Sequence, residues 1–198
     1  MTNEPRIASY RQSRDFTCGA AALAVALHEL GCGDLSEQEE LRIWRYAHVP
    51  WYGGSLPARL ARFAQERGCD ARLLVCRARV RELCRAAPLR WRLVYRYVLA
   101  RERLAELQTP PVMLNTLADV SQWLDGRPRG RILALVQEDG YELHYVLARR
   151  HDGGLLVLDP AHGSNVRVAP DNLTFGSSPA GYFVLIDRPD VPAAPPPG

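Results

Sequence analysis

The chain has 198 residues, 47% of them hydrophobic, enough for one domain with a substantial core. Its formal net charge is only +3, so no global field calls for nucleic acid as a partner, and every basic residue is arginine, which we read as base composition. The five cysteines (Cys18, Cys32, Cys69, Cys76, Cys84) are odd in number and lack metal-site spacing, the N-terminus carries no apolar signal core, and no apolar run reaches membrane-spanning length. These features favour free thiols in a reducing cytoplasm, with no membrane, metal or cofactor expected.

In chain order, residues 1–9 are expected to form a strand leading to Gln12. A helix from about Cys18 to Leu30 is apolar nearly all round, which predicts a buried central helix ended by Gly31-Cys-Gly33. Ser36 and Glu39 have capping-box spacing and start a second helix through Leu41, Ile43 and Trp44. Trp51-Tyr-Gly-Gly-Ser55 is a loop with two readings of equal weight: one wall of a cleft, or an ordinary turn with one buried tryptophan. A third helix, Pro57 to about Arg67, puts Leu60, Phe63 and Ala64 on one face and stops at Gly68, and a strand follows at 71–76.

Residues 78–110 read as a helical elaboration interrupted at Pro88, with Val80, Leu83, Leu93, Val94, Tyr97, Val98, Leu104 and Leu107 at helical spacing. Arginines 90, 92, 96, 101 and 103 give it a basic face, read first as solvated and second as a docking surface for an acidic peptide segment. Strands are expected at 112–116, 131–137, around His144, at 155–158 and at 182–186; short turns join most of them, the pattern of an antiparallel sheet. A short helical turn is expected at 171–175. Residues 1–188 read as one domain, and the proline-rich stretch 189–198 as a disordered tail.

The chemistry gathers on four residues. Cys18 sits at a helix start, where unpaired N–H groups and the helix dipole favour a thiolate. Gly19 fits a turn that backbone and substrate approach closely. Gln12 offers an amide N–H for an oxyanion. Asp152-Gly153-Gly154 is hairpin punctuation, and pairing about it brings His144 and Asp159 near the matching ends of two strands. His48, His151 and His162 are rival bases, of which His151 falls in an exposed hairpin turn and His162, which stays near Asp159, is the serious one; His28 is read as a packed or surface residue.

Gln12-x5-Cys18-Gly19-Ala, with His144-Tyr-Val and Asp159-Pro160, resembles the bacteriocin-processing, double-glycine leader peptidases, which are papain-like cysteine peptidases. The run Tyr10-Arg-Gln-Ser-Arg-Asp-Phe-Thr-Cys-Gly is similar to their stand-alone bacterial relatives without an exporter. The resemblance covers roughly residues 8–76 and 130–187. It implies an α+β, papain-like fold, with an N-terminal helical half and buried central helix packed on a C-terminal antiparallel sheet. It also implies Cys18 as nucleophile, His144 as base, Asp159 as its orienter and Gln12 as oxyanion donor, acting on a peptide or protein substrate. Ala20 departs from the proline that relatives often carry there, a mild change in a helix's first turn. Acyl transfer to an amine or thiol, and a non-catalytic peptide-binding module, are the alternative functions.

Overall fold

A computed structural model describes residues 9–125, 127, 129–138, 141–169 and 178–188. The helices are α1 (Cys18–Glu29), α2 (Glu37–Ala47), α3 (Pro57–Glu66), α4 (Arg77–Ala86), α5 (Leu89–Glu106) and α6 (Asp119–Asp125). The strands are β1 (Asp70–Val75), β2 (Val112–Met113), β3 (Arg131–Gln137), β4 (Leu143–His151), β5 (Gly154–Asp159), β6 (Ser164–Val168) and β7 (Ser178–Asp187). One sheet takes all seven in the order β2-β1-β7-β3-β4-β5-β6.

The sheet is antiparallel except at β1 and β2, which pair in parallel through Leu74 and Val112. β1 follows the helical half in sequence yet joins the sheet beside β7, so the two halves share one hydrogen-bonded framework. Along β3, Leu133 and Leu135 enter the core shared with α1, α3 and α4, while Ile132, Ala134 and Val136 pack with α6 residues Val120 and Leu124. Both faces are thereby covered, which is why the central strands read as unbroken apolar runs.

α1 is buried from Cys18 through Leu27. Its alanines let it lie close against α2 and β4, so its apolar circumference has the expected physical cause. Its far end is fixed by charge: Glu29 pairs with the buried guanidinium of Arg131 at 2.5 Å and approaches Arg149 at 3.8 Å.

Several expectations shift. The strand at 112–116 shortens to two residues, and β6 and α6 carried no sequence signal we had read; β6 is an exposed edge, so its side chains lack the apolar alternation that marks a half-buried strand. Within 1–9 only Ser9 is described, and it is not in a strand; residues 1–8, the turn at 171–175 and the tail 189–198 lie outside the described residues. Pro88 does separate two helices, α4 and α5. α5, however, faces the core with Tyr95, Glu102 and Glu106, with Trp91 and Leu99 beside them, while Leu93, Leu104 and Leu107 point to solvent. The apolar positions alone had suggested another face.

Candidate active site

Cys18 is the first residue of α1 and 8% exposed. The first bond that closes the helix runs from Ala21 N–H to the Thr17 carbonyl, so the Cys18 N–H stands ahead of the intrahelical ladder. Thr17 is turned away from capping: its hydroxyl donates to the Arg14 carbonyl at 2.8 Å. The thiol therefore meets the positive end of a buried helix with no carboxylate in the first turn.

His144 lies near the start of β4 and Asp159 ends β5. The hairpin pairs His151 with Gly154 and Leu147 with Leu158, and this register sets Asp159 diagonally across from His144. His144 Nε2 and Asp159 Oδ1 are 2.8 Å apart. Nδ1 is then the nitrogen left for Cys18, which lies close enough to act on the ring. Burial works against a charged imidazole, but Asp159, then Cys18, outweigh it and raise His144 from 6.5 to about 10. Asp159 is held well below the usual carboxylate range: burial opposes this, but hydrogen bonds from His144, His162 and the Ala161 N–H prevail.

His162 uses the other carboxylate oxygen, Nδ1 to Oδ2 at 2.8 Å, and its side chain is 75% exposed. It flanks Asp159 on the solvent side, whereas the ring close enough for Cys18 to act on is His144. The remaining histidines are elsewhere: His28 is exposed, His48 stacks on Trp44, and His151 sits beside Asp152 at the hairpin turn. Exposed Glu138 lies with His144 and Asp159 in a cluster whose potential ligand atoms fall within 4.8 Å of one another. Two of those atoms already bond each other, the arrangement of an oriented base rather than an open ligand set.

Gln12 is placed from two sides. Its N–H donates to the Pro160 carbonyl at 2.8 Å, tying it to the residue after Asp159. On its flanks, the fully buried carboxylate of Glu40 accepts from the Tyr10 hydroxyl (2.6 Å), the Ser13 N–H (2.9 Å) and the Ser13 hydroxyl (3.0 Å). The Gln12 Oε1 is buried without a partner, so this amide is not committed to a structural bond. Sequence reading missed Glu40; a glutamate in the first turn of α2 looks like ordinary helix-dipole chemistry until its tertiary partners are known.

The loop before α3 does form one wall of a cleft, through Tyr52, Gly54 and Ser55, while Trp51 is fully exposed rather than buried. Tyr52 lies close enough for the Cys18 charge to help push its hydroxyl up to about 12, after burial itself. α5 supplies the facing wall through Trp91, Val94, Tyr95, Val98 and Leu99. Gly19 corrects an expectation: it is helical, and the group pressing on it is the Tyr145 ring, whose Cδ2 would stand 2.8 Å from an added Cβ. Tyr145 in turn donates to the Ser55 carbonyl at 3.0 Å. Of the other thiols, burial and nearby Cys32 push Cys69 up to about 12, and burial raises Cys84, which also lines the cleft.

A family model described as "Peptidase_C39 like family" matches residues 7–151. No curated protein matches the sequence. Among solved structures, the peptidase domain of Streptococcus ComA, a bi-functional ABC transporter involved in a quorum sensing pathway, superposes with a TM-score of 0.54 at 12% identity. The match covers 90% of this chain and 96% of that one. At that identity the likeness speaks to the fold, which is that of a papain-like peptidase domain.

Proposed function

Because this chain belongs to the Peptidase_C39 like family, we propose that it is a cysteine peptidase that hydrolyses a peptide or leader-peptide amide bond through a Cys18 thioester. The observation that carries the reading is the Cys18 thiol at the head of a buried helix, close enough to act on an imidazole that Asp159 holds by its Nε2.

With His144 raised to about 10, the ring carries a proton at neutral pH and faces the sulfur, an arrangement that favours the thiolate. The thiolate attacks the amide carbon, and the oxygen takes up the charge. The Gln12 amide and the Cys18 N–H stabilise that oxyanion. His144 gives its proton to the departing amine, leaving a thioester. The neutral ring then takes a proton from water, whose oxygen attacks the thioester. Collapse of that second intermediate releases the acid and restores the ion pair. Asp159 stays ionised throughout and holds the ring's orientation.

The test is a pH series of iodoacetamide alkylation, with the modified cysteine identified by mass spectrometry. Rapid labelling of Cys18 at neutral pH, lost in His144→Ala and unaffected in His162→Ala, supports the reading. Labelling of Cys18 no faster than a free thiol, and indifferent to His144, removes it.

A further inference from the structure

Resting on the peptidase reading, one feature of the cleft goes beyond it. Among the described residues, four buried polar atoms around the site find no hydrogen-bond partner: Gln12 Oε1, Ser55 Oγ, Trp91 Nε1 and Glu102 Oε2. Orphaned atoms of this kind are rare because each gives up its water without a replacement. Gln12 belongs to the chemistry already described. Ser55 and Glu102 belong to a cavity that opens beside Cys18 and is otherwise walled by apolar side chains such as Val80, Leu83, Val98 and Leu99.

Glu102 is 1% exposed. Its Oε1 accepts the Ala58 N–H at 2.8 Å, while Oε2 is bare. The neighbouring charges are already engaged: Arg77 binds Glu106, Tyr182 bonds both of them, and Arg59 reaches the Tyr46 carbonyl. Burial, reinforced by the Glu106 charge against the Ala58 bond, pushes the Glu102 carboxyl up to about 8, so it is mostly neutral at pH 7. A glutamate lining an otherwise apolar cavity has, among the described residues, no partner for its second oxygen.

We propose that this cavity receives a substrate side chain within two residues N-terminal to the scissile bond, and that its occupant is a long aliphatic chain with a cationic end, lysine above all, whose ammonium pairs with Glu102 Oε2. The apolar walls suit the methylenes, and the ammonium's donors match the two orphaned acceptors, Glu102 Oε2 and Ser55 Oγ. A purely aliphatic occupant would leave both acceptors orphaned. As the ammonium enters, Glu102 releases its proton to solvent and the new ion pair remains. This preference would separate the chain from a peptidase whose cleft accepts only glycines.

The test uses active-site-directed chloromethyl ketones on the full chain: acetyl-lysyl and acetyl-lysyl-glycyl reagents, each with a norleucine counterpart, and iodoacetamide as the control for thiol reactivity. Cys18 labelling by one of the lysyl reagents should exceed that of its norleucine partner by roughly tenfold or more, the size expected for a charge-assisted bond in a desolvated site. Glu102→Gln keeps the bond from Ala58 and should erase that advantage without changing the iodoacetamide rate. If norleucine reagents label as fast as lysyl ones while iodoacetamide still finds an activated Cys18, the cationic pocket is wrong and the peptidase reading stands. If iodoacetamide itself finds no activated Cys18, both fall. The wild-type ratio decides the matter even where the variant does not fold.

Discussion

Asp159 carries more of this site than its position at a strand end implies. One carboxylate oxygen holds His144, the other His162, and the Ala161 N–H adds a third bond. His144 is raised to about 10 in the folded chain from 6.5, so the stability it brings is complete below about pH 6.5 and is lost as pH rises through about 10. The alkaline limb of peptide hydrolysis should follow the same loss of the imidazolium. Asp159→Asn removes the anion that holds that proton, and should move the limb toward lower pH; an unmoved limb would mean that another group sustains the ring's charge. Gln12→Ala should lower kcat by about 10²–10³, the usual effect of one oxyanion donor, with the urea midpoint little changed. Unimpaired turnover would take Gln12 out of the chemistry. The pairing of His144 with Asp159 was legible because a two-glycine turn fixes hairpin register, and register fixes which side chains meet. Glu40 and Glu102 were not legible, since a buried glutamate looks like any other until its donors, or their absence, are known.

Among the elements, α1 and α5 differ in how they announce themselves. α1 is apolar on every side, so its burial follows from composition alone, and no choice of face has to be made. α5 offers apolar residues on two faces, and the structure settles on the one carrying Trp91, Tyr95 and Leu99 together with two glutamates. Periodicity of apolar residues could not find that face, because Glu102 and Glu106 are buried through the Ala58 N–H and through Arg77 and Tyr182. A pair of substitutions tests the register. Leu104→Ser, on the exposed side, should stay within about 0.5 kcal/mol of the parent in urea unfolding. Leu99→Ser, packed against the core, should cost about 2 kcal/mol or more. Equal costs would mean that α5 is turned otherwise.

At the scale of the molecule, the sheet holds the two halves together, and buried charge marks the seam. Glu29 closes α1 against Arg131 and Arg149, two arginines that are each 8% exposed. Burial already lowers Arg149, with Glu29 as its counterweight. Glu29→Ala would leave two cations facing each other without an anion, and should cost about 3–5 kcal/mol in urea unfolding. A loss below 1 kcal/mol would show that solvent reaches the seam. The papain-like arrangement was legible from the two ends of the chain. The parallel pairing of β1 with β2 was not, because a two-residue strand leaves no periodicity to read.

The bond from Gln12 N–H to the Pro160 carbonyl has a mechanical meaning as well. It joins the segment bearing the amide to the segment bearing the carboxylate, and an added Cβ on Gly163 would stand only 3.2 Å from the Arg11 Cβ across the same seam. Those two segments form one jaw that cannot part without separating Gln12 from Asp159. Any widening of the cleft falls to its other two walls, α5 and the Tyr52 loop, which face each other. A covalent tether across α5 and that loop should therefore abolish peptide turnover.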